Sequence, residues 1–166
     1  MSASLQTELM EMSRYNRIAN RALYECCARL SERELGEFRP NRDESLLFML
    51  NHILIVDRDW MNRFTGTEIA NAERGTLLHD TLPALREDRT REDERIEEFV
   101  ENIHIAFLST QFRYKDAGGV FHQDPADRLV VHMFVNQIHH RSRVQQVLAE
   151  IGHQAPELDF HILLRR

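Results

Sequence analysis

Residues 43–66, DESLLFMLNHILIVDRDWMNRFTG, decide the fold. Apolar side chains cover most of the circumference of a helix drawn through this stretch, so it predicts the most buried helix of the protein. Asp43-Glu44-Ser45 has the composition of an N-cap, and Gly66 stands where such a helix stops. Two polar groups interrupt the apolar run, His52 and Asp57.

Working toward the N-terminus, residues 31–42 form a connection broken by Gly36 and Pro40. Before it, Leu5, Leu9, Met12, Ala19, Leu23, Cys26 and Leu30 recur at three- and four-residue intervals, which predicts a long amphipathic helix over 4–30, with Asn16 interrupting its stripe. Toward the C-terminus, 66–83 reads as irregular, with Gly75 and Pro83. A third helix is expected over 82–103. Its charged half, REDRTREDERIEE, predicts a solvated face laced with ion pairs along one helix, leaving Leu85, Ile96, Phe99, Val100 and Ile103 to pack. Residues 105–123 alternate around Asp116-Ala117-Gly118-Gly119 and predict a small hairpin. Asp124-Pro125 then opens a fourth helix that ends before Gly152, and the tail 153–166 carries apolar residues that fold back. The expected architecture is all-α: a single domain over 1–166, a four-helix bundle with a short hairpin or extended segment before the last helix.

Composition narrows the function. The chain has 166 residues, 42% of them hydrophobic, and a net charge of −6, so it builds a core and repels phosphate backbones. No nucleic-acid partner driven by a basic patch is expected, and no run approaches the roughly 18 apolar residues of a membrane span. The first residues are acidic and amphipathic, unlike a signal peptide. Adjacent Cys26 and Cys27 read as packing residues of a reduced, cytoplasmic protein.

Nine histidines are the informative excess. The inward stripe of the fourth helix reads Leu129, His132 or Met133, Asn136, His140, Val144, Val147 and Ile151, so three successive turns are polar. Buried unpaired, each such group costs about 1–3 kcal/mol. They must be paired, hydrated or given a metal. His52, on the otherwise apolar second helix, is the candidate partner. Two groups four apart on one helix and one from a facing helix make an open three-ligand site, of the kind that leaves a position for water or substrate.

The blocks MSRYNRIANRAL (12–23), SLLFMLNHILIVDRDWMNRFTG (45–66) and HMFVNQIHHRSRVQQVLAEIGHQAPELDF (132–160) resemble the DinB family of damage-inducible bacterial proteins over nearly the whole chain. The resemblance implies an up-down-down-up four-helix bundle, often a homodimer, with a divalent metal, zinc or nickel, held by three histidines. It also implies a small-molecule substrate, with thiol-dependent S-transferases and isomerases among related branches. Residue by residue, the second-helix ligand falls on His52 and one fourth-helix ligand on His140. The remaining ligand position falls on Asn136, a departure, because an amide oxygen is a weaker ligand than imidazole for zinc or nickel. Ser142-Arg143 stands where the family has Gly-Gln.

Three arrangements are open: His52, His140 and Asn136 with waters; a shifted site using His132; or no metal. His132 lies roughly 12 Å along the axis from His140 and cannot share its ion; it is expected as a general base near the site or as a group that supports a ligand. His139 is expected at the site's edge, Arg141 in helix packing, at a dimer contact or in solvent, Asp57 on a ligand imidazole or in a buried network, and Trp60 in the core. Glu101-x-x-His104 and Glu150-x-x-His153 formally match a di-iron pattern but sit at helix ends without inward Glu partners. The two function classes are a metal-dependent hydrolase or thiol transferase, and a non-catalytic dimeric bundle whose site has degenerated.

Overall fold

The computed structural model describes residues 2–38, 44–67, 77–116 and 118–165. Four long helices carry it: α1 (Ser2–Cys27), α3 (Leu46–Thr65), α4 (Leu82–Glu101) and α6 (Ala126–Glu150). Short α2 (Glu32–Gly36) follows α1, α5 (Ile105–Leu108) follows α4, and α7 (Phe160–Leu163) closes the chain. Strands β1 (Gln111–Lys115) and β2 (Phe121–Pro125) pair antiparallel, with Tyr114 opposite His122.

Local chemistry sets the ends. Ser45 caps α3 by accepting from the Phe48 amide at 3.1 Å. Gly66 ends the helix at φ +68, a left-handed position open to glycine. The connection after α1 contains more order than its breakers predict: Ser31 and Glu34 form a capping box that folds the single turn of α2. Pro40, Asp43 and Gly75 lie outside the described residues. Asp124 does not cap α6; it accepts from the Tyr114 hydroxyl at 3.0 Å, and Pro125 ends β2 before the helix starts at Ala126. The tail folds back as expected, with Leu163 packed beside Tyr15 and Ala19 and the Tyr15 hydroxyl donating to the Leu158 carbonyl.

Cross-helix pairs give the helix directions. Along α3 and α4 the bonded residues advance together (Asp57 with Arg89, Arg58 with Glu92, Asn62 with Arg95), so these helices run parallel. Asn20 with Asp93 and Arg17 with Glu97 run oppositely, as do His52 with His140 and Trp60 with His132. The bundle is therefore up-down-down-up, with α1 and α4 along one seam and α3 and α6 along the opposite one.

Its core is two apolar lobes split by a charged layer. One lobe holds Leu23, Cys27, Leu50, Leu54, Leu85, Val144 and Leu148, and the other Leu9, Met61, Ile96, Val100, Val130, Met133 and Phe134. Between them every long helix contributes buried polar groups: Asn16 and Asn20, Asp57, Arg89 and Asp93, and Gln137 and Arg141. Arg89 donates to Asp57 at 2.6 Å and lies 2.9 Å from Asp93. Arg141 donates to Asn16, Asn20 and Gln137, and Asn20 donates on to Asp93 at 2.9 Å.

This layer corrects two expectations. The charged half of the third long helix does not project into solvent, because Asp88, Arg89, Glu92 and Asp93 are buried against α1 and α3. Leu82 joins the core as well. The polar members of the α6 core stripe are Gln137 and Arg141 rather than Asn136 and His140, a rotation of one residue around the helix. A guanidinium can enter the core there because three side-chain oxygens receive it.

Candidate functional site

His52 of α3 and His140 of α6 meet at the edge of their seam. Their ring centroids are 4.9 Å apart with planes at 63°. Both side chains are half-buried. The convergence predicted from sequence is present, but at the rim of the bundle and not in its interior. Burial pulls the His140 pKa down to about 4, helped by His52, His139 and Arg143, so its imidazole is neutral near pH 7 and offers a lone pair. Arg143 reaches Glu44 at 2.8 Å and ties α6 to the start of α3 beside the rings.

Eight residues further along α3, and eight back along α6, Trp60 and His132 form a second ring contact, 5.5 Å between centroids. Asn136, half-buried, lies one helical turn from His140 and one from His132. His132 is exposed, two turns from the histidine pair, and holds the edge of Trp60. His139 is exposed, its ring 5.3 Å from that of His140, at the site's margin as expected.

A groove of about 340 Å³ continues from Trp60 toward the hairpin, lined by Val56, Asp59, Trp60, Arg63, Tyr114, Asp116 and Gly118. The Arg63 guanidinium covers Trp60 at 4.8 Å and Tyr114 at 5.9 Å. Trp60 is both core and groove wall. Tyr114, Arg63 and Asp59 were not anticipated from the sequence. Tyr114 shares with Phe112 one face of a period-two strand, a signal that marks the face but not what it covers.

Asp57 bonds neither histidine. It belongs to the buried layer with Arg89, where burial raises its pKa to about 7 against the opposing charge of Arg89. Arg141 is 1% exposed and packs in the core, neither solvated nor free for a dimer contact. Cys26 and Cys27 are buried, and burial pushes the Cys27 thiol up to about 12, which removes it as a ready nucleophile. The di-iron pattern dissolves: Glu101 is exposed, His104 caps α5, and His153 pairs with Glu34.

The ring geometry bears on the implied metal. Two imidazoles bound through nitrogen at about 2.0–2.1 Å to one tetrahedral ion hold their centroids roughly 5 Å apart. The His52–His140 spacing matches that, and a neutral His140 is in the ligating form. Among the described residues no group of three His, Cys, Asp or Glu could hold a metal, and the described group one turn from His140 on the same helix is the Asn136 amide. His52 and His140 fit an ion at two of its corners.

A family model described as DinB family matches residues 1–165, essentially the whole chain. The chain belongs to the DinB family. The comparison with curated proteins returned no match. Membership agrees with the up-down-down-up bundle of this DinB protein. None of its described helices is long and apolar enough to cross a membrane.

Proposed function

We propose that this DinB protein is a divalent-metal-dependent enzyme acting on a small molecule held between α3, α6 and the β1–β2 hairpin, by hydrolysis or thiol transfer. The observation that carries this reading is the approach of His52 and His140 from opposing helices to 4.9 Å, with His140 kept neutral. An ion there, zinc or nickel, would supply Lewis acidity and lower the pKa of a bound water or thiol. His52 and His140 would hold it, and Asn136 would offer its amide oxygen from one turn away. Trp60 and Tyr114 wall the groove and exclude water from one side of a substrate. His132, on the edge of Trp60, is set to move a proton at a ring nitrogen toward a substrate in the groove, too far along α6 to share an ion with His140.

Elemental analysis of untagged protein tests this. A stoichiometric transition metal, lost in His140→Ala, supports the reading. No metal after dialysis against zinc and nickel overturns it. That outcome supports a second reading, a non-catalytic dimeric bundle with a degenerate site. The second reading is favoured by one observation, that no three strong donors converge among the described residues.

A further inference from the structure

Arg141, the residue after His140, is a buried charge with no part in the proposed chemistry. Its Nη1 donates to Asn16 Oδ1, to Asn20 Oδ1 at 3.0 Å and to Gln137 Oε1 at 3.0 Å, and its guanidinium lies 5.3 Å from the centroid of the Tyr15 ring. These acceptors are neutral amides. Burial lowers the Arg141 pKa, with Tyr15, Asp57 and Asp93 opposing. A cation desolvated against neutral oxygens contributes little net stability over an apolar side chain of similar bulk. What its directional bonds add is a fixed geometry. Apolar cores lose a unique arrangement before they lose stability, whereas hydrogen bonds weaken steeply when misaligned.

The geometry fixed here is the roll of α6. Successive helix residues are about 100° apart, so seating Arg141 among Asn16, Asn20 and Gln137 turns His140 to the α3 edge, where its ring meets that of His52. Helix α3 is keyed into the same layer. Asn20 donates to Asp93, Asp93 faces Arg89, and Arg89 donates to Asp57, on the helix that carries His52. Both histidine-bearing helices thus share one hydrogen-bonded layer. At the rim, Arg143 and Glu44 are 36% and 30% exposed, and an exposed pair is screened and holds weakly. We infer that Arg141 is the positioning residue of the histidine pair, setting the roll of α6 at which His140 faces His52. The inference deepens the proposed metal site and rests on that reading for its purpose, while the ring contact itself is measurable without metal.

The test uses the full chain and two measurements. Without metal, NMR follows the ring protons of His52 and His140 for a nuclear Overhauser contact. With zinc alone, calorimetry gives the affinity. The contact should be present in the wild type, lost in Arg141→Met and retained in Arg141→Lys, whose ammonium offers three donors to the same oxygens. Zinc affinity should fall about ten- to a hundred-fold in Arg141→Met, the effect of losing a group that orients a ligand, and recover most of that in Arg141→Lys. Asn16→Ala removes one of the oxygens, should weaken contact and affinity in the same direction, and covers the case in which Arg141→Met does not fold. Ile103→Ala truncates the other lobe and should lower the melting temperature while leaving the ring contact intact. A contact that survives both Arg141→Met and Asn16→Ala would overturn the inference. So would one lost equally in Ile103→Ala, because the loss would then follow stability alone. The metal reading fails separately, through a wild type that shows the contact and binds no zinc.

Discussion

Replacing Arg89 with methionine removes the cation at the centre of the charged layer while keeping much of its bulk. The Arg89 and Asp57 side chains are 3% and 1% exposed, and Asp93 is 4% exposed, so two buried carboxylates lose their partner. Removing one member of a buried ion pair costs about 3–5 kcal/mol. An exposed pair along a helix costs about 0–1 kcal/mol. The choice between these figures decides whether the charged half of α4 is core or surface. The sign of the pH dependence follows from the same groups. A carboxyl whose folded pKa lies above its unfolded value binds extra protons in the native state, so stability falls as pH rises through that window. Burial already holds Asp57 near 7 with Arg89 present. Without Arg89 the window reaches higher, and the loss should be greater at pH 8 than at pH 5. Urea unfolding followed by circular dichroism at both pH values measures it. Arg91→Met is the control, since Arg91 and its partner Glu87 are 59% and 72% exposed. A loss below about 1 kcal/mol at pH 8, equal to that of the control, would refute the buried-layer reasoning.

Asn136→His puts a third imidazole one turn before His140 and should raise zinc or nickel affinity by orders of magnitude in calorimetry; unchanged affinity would mean that residue 136 does not face the ring pair. Both thiols should resist an aromatic disulfide reagent in the native protein and react together once denatured, because Cys26 is 6% and Cys27 0% exposed. Asp88 is partly buried, which raises its pKa, but bonds from Arg58, His79 and Arg91 outweigh that and hold it at about 2. Its contribution is therefore present above the ordinary carboxylate range and lost as pH falls toward 2, so the acid limb of the stability curve should be flatter in Asp88→Asn. Ser45→Ala should cost about 1 kcal/mol in thermal unfolding through loss of the α3 cap.

Much of the fold was legible in local pattern. The continuous apolar run through Leu46–Thr65, its Ser45 cap and its Gly66 stop each act within one turn of chain, and each is found in place. The hairpin and the return of the tail follow for the same reason. The capping box of α2 was also readable, in Ser31 and Glu34 three residues apart, but Gly36 and Pro40 outweighed it. Of the candidate site, the meeting of His52 and His140 was legible because both interrupt otherwise apolar stretches on elements that face each other. The Trp60–Tyr114 wall was not, because a strand's alternation identifies a face without naming its neighbour.

The amino-acid sequence alone determined which segments are the four long helices, the cap and stop of α3, and which family pattern they carry, since periodicity and capping are properties of contiguous chain. Only the tertiary structure decided the inward residue of α6 and the fate of the charges on α4. A helix of acids and arginines looks the same whether its partners lie four residues away or on another helix. Whether Arg89 meets water or Asp57 is settled by the parallel register of α3 and α4. Likewise a rotation of one residue moves Arg141 into the core and leaves His140 at the rim, and only packing against three other helices sets that angle.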